Sequence, residues 1–270
     1  MTAVAVPPER RVRLTLHYDG AAFAGWQVQP GERTVQGELE TALRRLTTRP
    51  TPVTAAGRTD RGVHATGQVA SAVVPAKWTA AELRRALNAV LPIDIWVAAA
   101  ADAPLDFHAR YDALARGYVF RVGTAASAQS PFLRRWCWPV RDELLPPLLR
   151  DAARRFIGTH SFRAFAKSGQ PERGEICTVH IAEWRPWRQI GLEFRVIANR
   201  FLHHMVRYMV GTMVDVARGR RPIGDVDALL LNTGSYGVSP PAPPEGLYLA
   251  RVFYHDVELE AEEPLDEILP

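Results

Sequence analysis

The sequence predicts an α+β protein made of two ferredoxin-like units, their sheets joined into one large antiparallel sheet with helices on the outer face and a central cleft. Three observations lead there. Segments of two-residue apolar alternation mark strands, and segments of three-to-four spacing behind capping residues mark helices. The two kinds follow one another as β-α-β-β-α-β over the first hundred residues. The same order recurs in the remainder of the 270-residue chain, with one small helix added. No repeat is visible in the residues themselves, so the duplication is one of topology.

Arg11 to Tyr18 opens the first unit, with Val12, Leu14, Leu16 and Tyr18 on one face and Arg11, Arg13, Thr15 and His17 on the other. Asp19-Gly20 turns the chain into a loop rich in Gly and Gln. Thr34 can cap a helix whose stripe is Val35, Leu39, Ala42, Leu43 and Leu46. Thr51 to Ala56 and Gly67 to Val74 read as strands on either side of a glycine-bracketed loop. Thr79-Ala80-Ala81-Glu82 is a capping box that opens a helix to about Leu91, and Ile93 to Ala100 is an apolar strand.

In the second unit Arg116 to Val122 alternates, with Tyr118, Phe120 and Val122 sharing a face. Pro146 and Pro147 suit a helix start, followed by the stripe Leu148, Ala152, Ala153 and Phe156 and a stop at Gly158. Thr178–Trp184 and Leu192–Ile197 suggest a hairpin. A strongly apolar helix is expected from about Phe201 to Ala217, a short one near Asp225 to Leu231, and a closing strand from Leu247 to Tyr254. The expected organisation is an extension over residues 1–10, a first unit over 11–105, a second over 106–254, and an acidic tail over 255–270, expected to be disordered.

Nearly half the residues are hydrophobic and under a quarter are charged, so the chain can bury a core. The net charge is +4, but the tail beyond His255 carries seven acids and no Lys or Arg. Without it 33 basic residues face 22 acidic ones, a body charge of +11 that suits a polyanionic partner. Cys137 and Cys177 are the only cysteines and form no Cys-x-x-Cys pattern, which argues against a zinc knuckle or a disulfide framework. With no signal-peptide core near Met1 and no run long enough to span a membrane, the expectation is a soluble cytoplasmic protein.

The stretch with the most chemistry is Gly57-Arg58-Thr59-Asp60-Arg61-Gly62-Val63-His64-Ala65. Arg58 and Arg61 flank a single carboxylate and favour its charged form, while the glycines permit a sharp turn and close approach of a bulky ligand. A tight surface hairpin fits the same residues. A second candidate is Arg207, at the edge of the stripe Leu202, Met205, Val206, Met209, Val210 and Met213. It must snorkel to solvent or find an anion. His203 and His204 precede it; as helix neighbours they would point about 100 degrees apart, with no carboxylate at ligand spacing, so no metal site is expected. No Gly-x-Gly-x-x-Gly stretch or P-loop is present.

Several of these strings together resemble the tRNA pseudouridine synthases of the TruA type. Gly57–Ala65 resembles that family's active-site signature, and Asn199-Arg200-Phe201-Leu202-His203-His204-Met205-Val206-Arg207 resembles its second. Tyr18-Asp19-Gly20-x-x-Phe23-x-Gly25-Trp26-Gln27, Val35-Gln36-Gly37-x-Leu39-Glu40 and Leu87–Ile95 look like further family stretches, so the resemblance covers most of the chain. It implies that Asp60 is the catalytic residue and that Arg207 pairs with it. It further implies that Tyr118, in Ala115-Arg116-Gly117-Tyr118, stacks on the target base, and that Leu247 forms an apolar wall beneath that base. On residue type alone Tyr118 is also an ordinary inward strand tyrosine and Leu247 a strand leucine. Gly117 departs from the family, many of whose members carry a second basic residue there.

The implied reaction is isomerisation of uridine to pseudouridine at positions 38 to 40 in the anticodon arm of tRNA, without a cofactor, by a homodimer. Arg58, Arg61, Arg110, Arg116 and Arg121 are candidate phosphate contacts, though any could be a solvated surface charge. Two other readings stay open on the residues: an RNA-binding sheet without catalysis, and a hydrolase using Asp60 with His64.

Overall fold

The computed structural model describes residues 8–167, 174–233 and 237–255. The first seven residues and the acidic tail beyond His255 lie outside the described residues. In the first half, β1 (Glu9–Tyr18) leads through α1 (Val35–Thr47) to β2 (Thr54–Ala55) and β3 (His64–Pro75), then α2 (Ala80–Val90) and β4 (Ile95–Ala103). The second half holds β5 (Ala115–Gly123), β6 (Trp138–Pro139), α3 (Pro146–Arg154), β7 (Gly158–Ser161), β8 (Ile176–Trp187), β9 (Gly191–Ala198), α4 (Met205–Ala217), α5 (Gly224–Leu230) and β10 (Leu247–Phe253). β1 begins at Glu9, inside the stretch expected to be an extension.

The caps named from sequence form. Thr34 accepts from the Gly37 N–H, and Thr79 and Glu82 complete a reciprocal capping box that satisfies two otherwise orphaned donors. Pro146 and Pro147 start α3, where a missing N–H costs nothing. Phe156 is buried but lies beyond the end of α3, because the helix stops at Arg154.

Among the described residues all ten strands join one sheet, with the order β4-β1-β3-β10-β5-β9-β8-β7. β2 pairs with β3, sharing that edge with β10, and β6 pairs with β5. Each half therefore keeps the ferredoxin-like order. The large sheet is antiparallel as expected except at two short pairings: at the seam β3 and β10 run parallel, with Tyr248 opposite His64 and Leu249 opposite Ala65, and β6 pairs parallel with β5. Parallel pairing at the seam follows from joining the two units edge to edge in these orientations.

The seam also makes the apolar face continuous. Ala65 is opposite Tyr18 on one side and Leu249 on the other, and Leu249 is opposite Tyr118. That face continues through Phe120 and Phe194 to Trp184, whose indole N–H donates to the Met213 sulfur of α4. Val12, Leu14, Leu16, Phe120, Phe194, Met209 and Met213 are all sealed from solvent in a single cluster under the helices. Cys137 and Cys177 are separate buried thiols, and burial pushes each up to about 11. Among the described residues, no helix is long and apolar enough to cross a membrane.

Candidate active site

Asp60 lies on the loop between β2 and β3, immediately beside the seam. The loop is gripped from three directions. The Trp26 N–H donates to Thr59 O at 3.0 Å, and the Gly62 N–H to Phe23 O at 3.3 Å. The Tyr18 hydroxyl lies 2.8 Å from Thr59 Oγ1, and the Gln68 amide donates to Gly57 O at 2.8 Å. Two glycines make room for this. A Cβ on Gly20 would stand 2.1 Å from Val63 O. Gly25 has φ +105°, and its Cβ would meet Thr59 O at 2.7 Å. The Tyr18–Gln27 stretch is thus the cradle of the Asp60 loop.

Tyr118 and Leu249 form the floor beside that loop. A Cβ on Gly57 would be 3.8 Å from the Tyr118 hydroxyl and 3.9 Å from Leu249 Cδ2. Tyr118 packs edge-on against Phe201, centroids 4.9 Å apart. Burial raises the Tyr118 phenol well above its ordinary value, and the negative charge of Asp60 adds to this. It is therefore a neutral ring at physiological pH. Leu247 sits further along the same face, opposite Phe120. Leu249, which sequence reading passed over, takes the place next to the loop.

The basic groups around Asp60 differ from expectation. The chain approaches α4 through a turn, not a helix: α4 starts at Met205, and His204 adopts a left-handed φ of +64°. That turn swings two consecutive imidazoles to one side, with ring centroids 4.2 Å apart. His203 Nε2 lies 3.3 Å from Asp60 Oδ1 and His204 Nε2 lies 3.5 Å from Oδ2. The argument that neighbouring histidines diverge by a helical step, with no carboxylate near, fails here because both are outside the helix and the carboxylate comes from a distant loop. Nothing in the residue types signals a left-handed histidine.

Arg207 lies in the first turn of α4. Among the described residues the basic groups within ion-pair range of Asp60 are the two histidines, so the expected direct pair with Arg207 is not formed. Arg207 Nε instead donates to Ala242 O at 2.6 Å, and the Ala242 N–H returns a bond to Arg207 O. Asp60 still acts on it through space: burial pulls the guanidinium pKa down while Asp60 and Glu245 push it back up. An arginine so placed keeps its charge. Burial lowers the His204 pKa, Asp60 opposes this, and Arg207, His203 and Lys167 reinforce it. His204 is therefore neutral near pH 7.

The other arginines separate into two groups. Arg58 is exposed and Arg61 is largely so, the latter bonded to Glu32 at 2.9 Å. Arg110 lies half-buried over the Tyr111 ring. Arg116 faces inward: its guanidinium donates to the carbonyl oxygens of Ala56, Arg110, Ala113 and Asn199. Arg121 is 1% exposed, between the rings of Trp187 and Tyr248 and 3.7 Å from Glu193. As placed here, Arg116 and Arg121 stitch the fold and do not present a fork to solvent, contrary to the expectation of phosphate contacts.

Comparison with known proteins identifies the family. A family model described as "tRNA pseudouridine synthase" matches residues 15–112 and 152–255. The "tRNA pseudouridine synthase A" of Geobacillus kaustophilus is 40% identical over 248 residues, covering 92% of this chain and 95% of that protein. Its counterpart in Moorella thermoacetica is 40% identical, covering 90% and 99%, and that of Bacillus pumilus is 37% identical, covering 90% and 99%. The matched segments contain the Asp60 loop, Tyr18 to Gln27 and the turn into α4. An isomerase family thereby replaces the alternatives of a non-catalytic RNA-binding sheet and a hydrolase. The chain belongs to the tRNA pseudouridine synthase family.

Proposed function

We propose that this isomerase acts on uridines 38, 39 and/or 40 of the tRNA anticodon stem-loop, with Asp60 as the catalytic residue, no cofactor, and a cytoplasmic homodimer as the working form. The chemistry is the family's conversion of uridine to pseudouridine in tRNA. The N1–C1′ bond breaks, the base rotates, C5 bonds to C1′, and the C5 proton leaves as N1 gains one. Atoms and electrons balance without an oxidant, a reductant or an imported group.

The observation that carries the reading is the Asp60 carboxylate, 22% exposed, on a loop whose Gly57 end faces Tyr118 and Leu249, with Asp60 close enough to Tyr118 and Arg207 for its charge to act on both. A target base must leave its stack to reach it, at a cost of a few kcal/mol. Stacking on an aromatic ring offsets part of that cost whatever the base, which is the role assigned to Tyr118. Its raised phenol makes it a poor acceptor for the C5 proton. Arg207 can hold the carboxylate charged once RNA excludes water from the site. Attack at C1′ and addition at C6 both start from this same group. Arg58, Arg61 and Arg110 are the proposed phosphate contacts.

The test uses an unmodified tRNA transcript treated with wild type or Asp60→Ala, then carbodiimide-coupled primer extension. Wild type should give stops at positions 38 to 40 and the variant none, while both bind tRNA. Full activity in Asp60→Ala would remove Asp60 from the mechanism, and stops elsewhere would reassign the target.

A further inference from the structure

Side chains from two distant parts of the chain converge at the turn before α4: Asp60, His203 and His204 each place one donor atom within 4.8 Å of the others, and the Nε2 atoms of both histidines face the carboxylate. We propose that this triad is an inhibitory binding site for a borderline divalent cation, Zn²⁺ above all, which competes with RNA by occupying the carboxylate. The proposal rests on the assignment of Asp60 as the catalytic residue.

The dimensions fit. In tetrahedral zinc sites with ligand bonds of about 2.0–2.1 Å, neighbouring donor atoms are about 3.4 Å apart. His203 Nε2 stands 3.3 Å from Asp60 Oδ1 and His204 Nε2 stands 3.5 Å from Oδ2, so each imidazole already lies at that spacing from one oxygen of the carboxylate. Small adjustments of two imidazole rings and one carboxylate would suffice. The left-handed backbone at His204 is what lets adjacent residues supply both nitrogens, and the Lys167 N–H bond to His203 O ties the turn down. Two imidazoles and one carboxylate leave a fourth position for water.

The donor set also selects among ions. Imidazole suits zinc, nickel and copper, whereas Mg²⁺ demands near-octahedral oxygen ligation and sheds water reluctantly. The enzyme can therefore tolerate the Mg²⁺ that accompanies folded tRNA and still be blocked by zinc. The Arg207 charge repels any cation at this site, so binding should be weaker than at a structural zinc site and readily reversed by a chelator. Once bound, the ion withdraws the carboxylate lone pair needed by the reaction and occupies the approach to it.

The experiment titrates chelator-treated full-length protein with Zn²⁺, and separately with Co²⁺, by calorimetry and visible absorption. It compares wild type with His203→Gln/His204→Gln, and melting curves establish that the variant is folded. Wild type should bind one ion, give the intense visible bands of low-coordinate Co²⁺, and lose pseudouridine formation reversibly with Zn²⁺ but not with Mg²⁺. The double variant should bind at least about tenfold more weakly. Equal zinc affinity in both proteins, or no binding by wild type, would overturn the proposal. Asp60→Asn assayed in metal-free buffer keeps the two claims apart. If it forms pseudouridine the catalytic assignment fails, whereas the calorimetry alone decides whether the ion site exists.

Discussion

The Tyr18 hydroxyl stands 2.8 Å from Thr59 Oγ1, so the last residue of the first strand holds the residue immediately before Asp60. Both groups are buried, and Gln68 bonds to the same hydroxyl at 3.4 Å. Tyr18→Phe should cost about 1–2 kcal/mol of stability, because Thr59 loses a partner where no water can replace it. The larger effect should be on turnover: kcat should fall while KM for tRNA changes little, since the RNA-facing side chains are untouched. Denaturant titration and steady-state kinetics on the same preparation would check both.

Arg116 and Arg58 should respond in opposite ways to loss of charge. Arg116→Ala strands four carbonyl oxygens drawn from both halves of the chain. A destabilisation of about 3 kcal/mol or more is expected, visible as a large drop in melting temperature. Arg58→Ala, at an exposed site, should change stability by less than about 0.5 kcal/mol. Its effect should appear in tRNA binding, where the slope of log affinity against log salt should shrink by about one.

Gly25→Ala tests the cradle of the Asp60 loop. Its φ of +105° and the 2.7 Å approach of Thr59 O leave no room for a methyl group without moving the loop. Activity should drop by about a hundredfold, as expected for a reacting group displaced by about an ångström. The fold, followed by circular dichroism, should persist. Unchanged kcat in the variant would show that the loop is not positioned from this side.

Asp19 should confer a stability component confined to the acid range. Burial raises its carboxyl, but the bonds from His64 and from the Ala21 N–H, with the charges of His64 and Arg135, outweigh it and bring the pKa down to about 2. A folded-state pKa below the ordinary 3.8 means the contribution is complete above that value and lost as pH falls toward 2. Its size is about 2 kcal/mol. Urea midpoints of wild type and Asp19→Asn should therefore differ above pH 4 and converge near pH 2.

Element order was legible in the sequence because its cues are local. Val12, Leu14 and Leu16 alternate, Thr79 and Glu82 cap, and Pro146 begins a helix, all within a few residues. The short strands at Trp138–Pro139 and Gly158–Ser161 were missed because two to four residues carry no periodicity. The parallel seam was missed because pairing direction between distant strands leaves no local mark. Asp60, Tyr118 and Arg207 were named from their strings, and the structure gathers them in one region. The fates of Arg116 and Arg121 could not be read, since whether an arginine faces water or four carbonyls depends on chain that arrives from elsewhere. The histidine pair was visible but placed on a helix that starts only after it, because His204 takes a conformation few non-glycine residues adopt.

The seam between β3 and β10 has a consequence for biosynthesis. β10 leaves the ribosome after every other described element, yet it supplies Leu249 beside the loop that begins the adjoining strand. A chain that has made only its first unit therefore lacks both Leu249 and the α4 arginine that the second unit brings toward the Asp60 loop.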